Sequence, residues 1–166
     1  AAIASIANSE SVTIERVDEI ENETRHDIMA LTKAMAEVAG DAGWCIHLGA
    51  TSNDIVDTAV GLQIKDSVDI HREILCTLLT TLADLAERER NTVMLGRTHG
   101  QAAVPITFGL KIAVFLDEFR RHLERLDEIR ARVCVGKFLG AVGTGAAQGD
   151  DARELQRLIL SNLGLS

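Results

Sequence analysis

Two histidines of this sequence lie in connecting segments that combine glycine with hydroxyl and amide residues. His47 opens the run His-Leu-Gly-Ala-Thr-Ser-Asn-Asp at positions 47–54, and His99 lies in Gly-Arg-Thr-His-Gly-Gln at positions 96–101. A histidine can transfer protons near neutral pH, and the neighbouring hydroxyl and amide groups can bind a polar substrate. Both histidines are therefore candidate functional groups, with an ordinary structural role as the alternative.

The hydroxyl pair Thr51-Ser52 opens the longest predicted helix, just before Asn53 and Asp54. One of these four residues is expected to cap the helix, because such side chains accept hydrogen bonds from its free N–H groups. A helix start also offers positive dipole and unpaired N–H groups to a carboxylate or phosphate. The two roles are compatible, so we predict that Thr51 and Ser52 hold an anionic part of a substrate.

The glycine-rich segment at positions 136–145, Gly-Lys-Phe-Leu-Gly-Ala-Val-Gly-Thr-Gly, can also present N–H groups to an anion, with a flexible hinge as the alternative. It lacks the Gly-Lys-Ser/Thr spacing of a P-loop. No histidine pair has the i, i+4 spacing of a helical metal site, and Cys45, Cys76 and Cys134 show no Cys-x-x-Cys spacing. We therefore expect no metal and no cofactor, which leaves acid–base chemistry on an anionic small molecule.

Apolar residues at alternating spacings of three and four predict helices and no strand. The first seam runs from Ile14 to Val38, the second helix from about Asp54 to about Arg90, and the fourth from about Asp150 to Leu163. The third helix follows Pro105, which suits a first helical turn. The predicted fold class is all-α, an elongated helical bundle.

The other three histidines lie within these predicted helices. His71 and His122 fall on apolar seams, which favours a core or interface role. His26 lies away from the first seam, so its position alone favours an exposed residue over a functional one.

The length of the second helix predicts self-association. At about 1.5 Å per residue it would extend roughly 55 Å, whereas a compact domain of this size has a radius of gyration of about 15 Å. Both long helices also carry apolar residues outside their seams, such as Ile70, Ile74 and Val114. Such faces are typical of burial against other chains, so we expect oligomerisation through the long helices.

Composition excludes several classes of protein. The 166 residues include 17 Lys and Arg against 25 Asp and Glu, a formal net charge of -8, with no basic cluster. A general nucleic-acid binder is therefore disfavoured, although an anionic small-molecule substrate is not. Uncharged stretches are too short to span a bilayer, so no membrane partner is expected. No secretory pattern opens the chain, and we expect a cytoplasmic protein.

Four segments form a family pattern when they are taken in order. They are Thr24-Arg25-His26-Asp27, then His47-x-Gly-x-Thr-Ser-Asn-Asp and onward to Ala59, then Gly96-Arg97-Thr98-His99-Gly100-Gln101 with Pro105, and then Gly140-Ala141-Val142-Gly143-Thr144. Over nearly its whole length the chain resembles the central helical region of the adenylosuccinate lyase family, in the fumarase/aspartase superfamily. The resemblance rests on the occurrence of all four segments in this order.

This resemblance implies an enzyme that eliminates fumarate from adenylosuccinate, giving AMP, and from the succinyl-aminoimidazole-carboxamide ribotide of purine biosynthesis. It implies a mostly helical homotetramer with active sites shared between chains and no cofactor. By position, His99 would be the general acid that protonates the departing nitrogen, with the direction of its proton transfer left open. His26 would assist catalysis and contact substrate together with Arg25 and Asp27. The remaining implied substrate-binding residues are Thr51, Ser52 and Gln101, with His47 near the phosphate.

Two features depart from the family pattern. The family's catalytic base is a serine in a Gly-Ser-Ser-x-Met-Pro-x-Lys loop, and this signature is absent, as are the amino-terminal nucleotide-binding residues. We therefore expect residues 1–166 to be the central helical-bundle region of a longer lyase, incomplete for catalysis alone. Gly145 replaces an aromatic residue that often follows Gly-Thr, which is expected to loosen that loop.

Alternatives within the superfamily differ at particular positions. Argininosuccinate lyase prefers Ser-x-Asn-Asp-Gln where this chain has Thr-Ser-Asn-Asp-Ile at positions 51–55, and fumarase and aspartase favour Leu where this chain has Gly100. Carboxymuconate cycloisomerases often carry Trp at the position of His99, so His99 favours the lyase. A non-catalytic helical scaffold is the alternative from a different class.

Overall fold

The computed structural model describes Asn8 and residues 10–166 and is mostly helical, as predicted. The helices are α1 (Ile14–Thr24), α2 (Asp27–Ala39), α3 (Ser52–Arg88), α4 (Phe108–Val133) and α5 (Ala152–Leu163), with short 3-10 turns at Gly40–Cys45 and Gly149–Asp151. The chain divides into two compact units. The first unit contains the described residues up to Ala59 and Gly136–Gly164, and the second contains Val60–Val135 and Leu165–Ser166.

In the first unit, α1 and α2 pack through a small apolar core of Ile20, Ala30 and Ala34. Thr13 caps α1 by accepting the N–H of Arg16. The predicted single helix from Ile14 to Val38 is wrong, because the chain breaks after Thr24. The periodic apolar pattern continues on both sides of the break, which is why it suggested one element.

The second unit contains most of α3, a β-hairpin and α4. Arg72 Nε donates to Asp127 Oδ1 at 2.9 Å, and Arg130 pairs with Asp69 one turn away on each helix. These pairs join α3 to α4 in antiparallel orientation. Only Val68 and Ile112 are buried apolar side chains within these two helices of the second unit.

The hairpin corrects the prediction of no strand. Strands β1 (Val93–Thr98) and β2 (Gln101–Thr107) pair antiparallel, with an irregularity where Gly96 faces two residues of β2. Pro105 lies in β2 opposite Leu95 and not in a helical turn, since α4 begins at Phe108. The N-cap of α4 is Thr107, whose side chain accepts the N–H of Leu110.

Helix α3 has 37 residues, so its length is about 55 Å, as predicted. The apolar residues expected outside the seams are exposed in this single chain, with Ile70, Ile74 and Val114 each more than half accessible. His71 and His122 are exposed as well, so neither belongs to the core of the chain. Within the described residues, none of the helices combines the length and apolarity that a membrane crossing requires.

Candidate functional site

A contact between His26 and Ser52 lies at the centre of the candidate site in the first unit. Ser52 is the first residue of α3, and its Oγ lies 3.3 Å from His26 Nε2. His26 caps α2, since its Nδ1 accepts the N–H of Met29 at 3.3 Å. An accepting Nδ1 requires that the proton of the neutral ring be on Nε2. With the proton on Nε2, His26 donates to Ser52 Oγ and leaves the serine hydroxyl free to donate to an anion.

The break between α1 and α2 places three predicted site residues together. Arg25 adopts a left-handed conformation, with φ 54°, and its N–H donates to Glu21 O at 2.7 Å. Asp27 Oδ1 accepts the N–H of Ile28 at 2.7 Å. His26 lies between them as the cap. The turn thus holds a guanidinium, an imidazole and a carboxylate in consecutive positions.

The start of α3 is held by the Asp54 carboxylate, which is only 2% exposed. Asp54 Oδ2 accepts the N–H of Thr51 at 3.0 Å, as the side chain at the third helical position does in a capping box. It also accepts the N–H of Gly140 at 2.9 Å, while Oδ1 accepts that of Leu139 at 3.4 Å. The backbone N–H groups of Ser52 and Asn53 donate to no acceptor in the described part of the chain, and so are available to an anion.

A second set of hydrogen bonds joins α3 to the start of the glycine-rich segment. The buried Thr58 hydroxyl donates to Lys137 O and accepts the Lys137 N–H, both at 3.0 Å. Lys137 Nζ lies 2.8 Å from Asp57 Oδ2, and this carboxylate raises the pKa of the Lys137 ammonium. Lys137 therefore stays charged next to the helix start.

The glycine-rich loop, residues 139–145, is closed by a hydrogen bond between its two end residues. Gly145 donates to Leu139 O at 2.9 Å and is buried with φ 68°. A Cβ at Gly145 would lie 2.5 Å from the Cβ of Ala152. The structure thus requires glycine here, and the aromatic residue expected from the family pattern does not fit this backbone. Val142, at the tip, is 82% exposed.

His47 lies in the turn that leads to α3, with φ 66°. Its Nε2 is buried and has no hydrogen-bond partner among the described residues. Nearby, Gln148 Nε2 donates to Gly49 O at 2.6 Å, while Gln148 Oε1 is also buried and unpaired within the described residues. His47 Nε2 and Gln148 Oε1 are thus two buried polar atoms of the first unit without a protein partner among the described residues, which is typical of groups that bind an ordered water or a ligand.

His99 and Gln101 belong to the second unit. His99 and Gly100 occupy the two central positions of the hairpin turn, with φ 51° and 73°. Positive φ at both positions defines a type I′ turn, in which His replaces the usual Asn. Gln101 begins β2 opposite Thr98. His99 and Gln101 are both exposed, so the turn presents these side chains to solvent.

Backbone strain marks three of the predicted residues. Arg25, His47 and His99 are the non-glycine residues with positive φ in the described part of the chain. The left-handed conformation costs a typical residue with a Cβ about 1–2 kcal/mol, and His adopts it more readily than most. Such strain is concentrated at functional sites, which supports all three as candidates.

Sequence reasoning missed the residues that hold the site together. Asp54, Thr58 and Gln148 bind backbone groups of other segments. Asp54 was expected only as one of four candidates for the helix cap, and Thr58 and Gln148 had no predicted role. Asp54 follows Thr-Ser-Asn at a helix start, which signals a cap, but no local pattern reveals the loop that it binds. In the described residues, no group of three or more His, Cys, Asp or Glu is arranged to hold a metal ion.

Comparisons with known proteins identify the family of the chain. A protein-family profile described as Lyase matches residues 1–166. The chain is 53% identical over 163 residues to a Pyrococcus horikoshii protein named adenylosuccinate lyase, covering 98% of this chain and 36% of the relative. It is 44% identical to a Dickeya dadantii protein named N-acetyl-S-(2-succino)cysteine lyase, covering 99% of this chain and 36% of that protein.

A solved structure shows the same fold. The fumarate lyase from Mesorhizobium sp. BNC1 matches with a TM-score of 0.90 and 39% identity, covering 99% of this chain and 39% of that one. The chain thus spans little more than a third of the length of the proteins that it matches. On these matches the chain belongs to the Lyase family, within the fumarase/aspartase superfamily.

Proposed function

We propose that the chain is the central region of an adenylosuccinate lyase, which eliminates fumarate from adenylosuccinate and from the succinyl-aminoimidazole-carboxamide ribotide. The observation that carries the proposal is the contact of His26 with Ser52 at the start of α3. It leaves a hydroxyl donor beside free N–H groups, an arrangement suited to a carboxylate. Relatives with this name are 53% and 51% identical to the chain.

The proposed chemistry breaks a C–N bond after a proton leaves the carbon next to a carboxylate. Negative charge then builds on that carboxylate, and preorganised donors stabilise it. Thr51 and Ser52 supply such donors, and Arg25 adds a positive charge in the first unit. His99 transfers a proton to the departing nitrogen, a contribution of about 10²–10⁴-fold. The base that removes the carbon-bound proton is not assigned to a residue of this chain.

The other proposed substrate contacts are those of Asp27, His47 and Gln101. The unpaired Nε2 of His47 supports a role in binding the phosphate. The exposed apolar side chains of α3 and α4 support a homotetramer in which several chains contribute to each active site. The homotetramer, the cytoplasmic location and the assignment of residues 1–166 to the middle of a longer enzyme stay predictions.

A second candidate has support of its own. Relatives 44% and 43% identical are named N-acetyl-S-(2-succino)cysteine lyase. Both names describe a substituted succinate, so the two candidates differ in the leaving group, nitrogen or sulfur, and share the site for the succinyl carboxylates. Three other functions stay as alternatives: cleavage of argininosuccinate, lactonisation of a carboxymuconate, and a scaffold without catalytic activity.

The full-length protein is assayed with adenylosuccinate and with N-acetyl-S-(2-succino)cysteine, and fumarate formation is followed by absorbance. We expect adenylosuccinate to be the better substrate by kcat/KM. The Ser52→Ala variant is expected to raise KM by about 10-fold or more, since it removes a hydrogen bond to a charged group. Ser67→Ala is the control, because Ser67 Oγ donates only to Gln63 O on exposed α3. No turnover of adenylosuccinate by the full-length wild type would refute the proposal.

A further inference from the structure

Asp54 is the most deeply buried charged side chain of the described structure, and its contacts exceed what a helix cap requires. A cap at this position needs only the N–H of Thr51. Asp54 also binds the N–H groups of Leu139 and Gly140, which are 85 and 86 residues away in sequence. The carboxylate thus joins the first turn of α3 to the base of the glycine-rich loop.

This arrangement is specific for an ionised carboxylate. Three N–H donors converge on its two oxygens, with no ion pair to Lys or Arg among the described residues. Hydrogen bonds from backbone N–H groups to a charged acceptor are about twice as strong as neutral ones. An asparagine of the same shape would turn an NH₂ group toward one of these N–H donors, so at least one of the three hydrogen bonds would be lost.

We propose that Asp54 is a positioning residue of the enzyme, fixing Ser52 and the glycine-rich loop relative to each other through its buried carboxylate. Ser52 lies two residues before Asp54 and carries the contact to His26. The loop beyond Gly140 is exposed at its tip and is tied to this helix start by Asp54 at its base. The expected effect of Asp54 on activity rests on the proposed function. The expected effect of Asp54 on the position of the glycine-rich loop does not.

The test uses the full-length enzyme with Asp54→Asn. Asp57→Asn is the matched control, because it removes an ion pair to Lys137 in the same segment but none of the backbone hydrogen bonds. We expect Asp54→Asn to lower kcat at least about 10-fold with KM changed less than about 3-fold, since the binding groups remain and only their alignment is lost. Asp57→Asn should stay within about 2-fold of wild type in both constants.

Hydrogen exchange supplies a readout that needs no substrate. Amides of residues 139–145 should exchange at least about 10-fold faster in Asp54→Asn than in Asp57→Asn, with amides in the middle of α3 unchanged. Loop exchange equal in the two variants would overturn the proposal, as would an unchanged kcat or a rise in KM alone. If Asp54→Asn does not assemble, Asp54→Glu takes its place under the same criteria.

The two proposals fail separately. A wild-type enzyme that does not cleave adenylosuccinate refutes the proposed function. The exchange experiment and the kinetics with whichever substrate is cleaved still decide the role of Asp54.

Discussion

Replacement of His99 by asparagine separates its proposed chemistry from its role in the hairpin turn. The turn needs positive φ at His99, and Asn adopts this conformation readily. His99→Asn therefore preserves the turn and removes only the imidazole. Loss of a general acid or base lowers kcat by about 10²–10⁴-fold, which corresponds to about 2.7–5.4 kcal/mol of transition-state stabilisation.

The companion variant His99→Ala loses the imidazole and also strains the turn. An alanine at φ 51° costs about 1–2 kcal/mol. The two variants are expected to lose kcat equally, whereas only His99→Ala lowers the melting temperature. Gly100→Ala, which keeps the ring but strains the neighbouring position, should lower the melting temperature with a smaller loss of kcat.

The assay is steady-state turnover by the full-length enzyme from pH 6 to 8, with the melting temperature and oligomeric state measured on the same samples. His122→Asn is the histidine control, because His122 is exposed on α4 and has no proposed role in the reaction. An intact His99→Asn oligomer with near wild-type kcat across this range would refute proton transfer by His99.

Three further predictions concern stability and binding. Gly145→Ala should destabilise the protein by about 1–3 kcal/mol more than Gly143→Ala. Both glycines have positive φ, but only at Gly145 would a Cβ lie within 4 Å of another residue's atoms. Chemical denaturation measures the difference in the free energy of unfolding. Arg25→Gly should not lower the melting temperature, since glycine suits φ 54°, but should raise KM through loss of the guanidinium. Hydrogen bonding to Arg130 lowers the pKa of Asp69 below its ordinary value of 3.8. The stabilisation that this pair supplies is therefore fully present above pH 3.8 and is lost as the pH falls through the lowered pKa. Asp69→Asn should flatten the dependence of the melting temperature on acid pH, and Asp66→Asn should not.

The long helices could be predicted because their information is local and periodic. Helix α3 was predicted from about Asp54 to about Arg90 and is observed at Ser52–Arg88, and the end of the last helix was predicted at Leu163 as observed. The break at Arg25 was missed, because one left-handed residue redirects the chain without disturbing the apolar spacing. The hairpin was missed because its turn contains His-Gly in place of Asn-Gly, and because Pro105 suggested a helix start.

The candidate site was predictable in its residue types but not in its connections. His26, Ser52 and the loop were each selected as separate motifs. The contact of His26 with Ser52 joins positions 26 residues apart, and Asp54 reaches partners more than 80 residues away. Pairings of this kind depend on the packing of helices, which a single sequence does not specify.

The hairpin that carries His99 has a consequence for the local stability of this turn. A lone two-stranded ribbon is marginally stable in water, so β1 and β2 should open locally at far lower free energy than the helices beside them. Val93, Leu95 and Val104 are widely exposed along this ribbon. A neighbouring chain that covered them would shift the local folding equilibrium of the turn. Such a contact would stabilise the turn that presents His99, even without adding a residue to it.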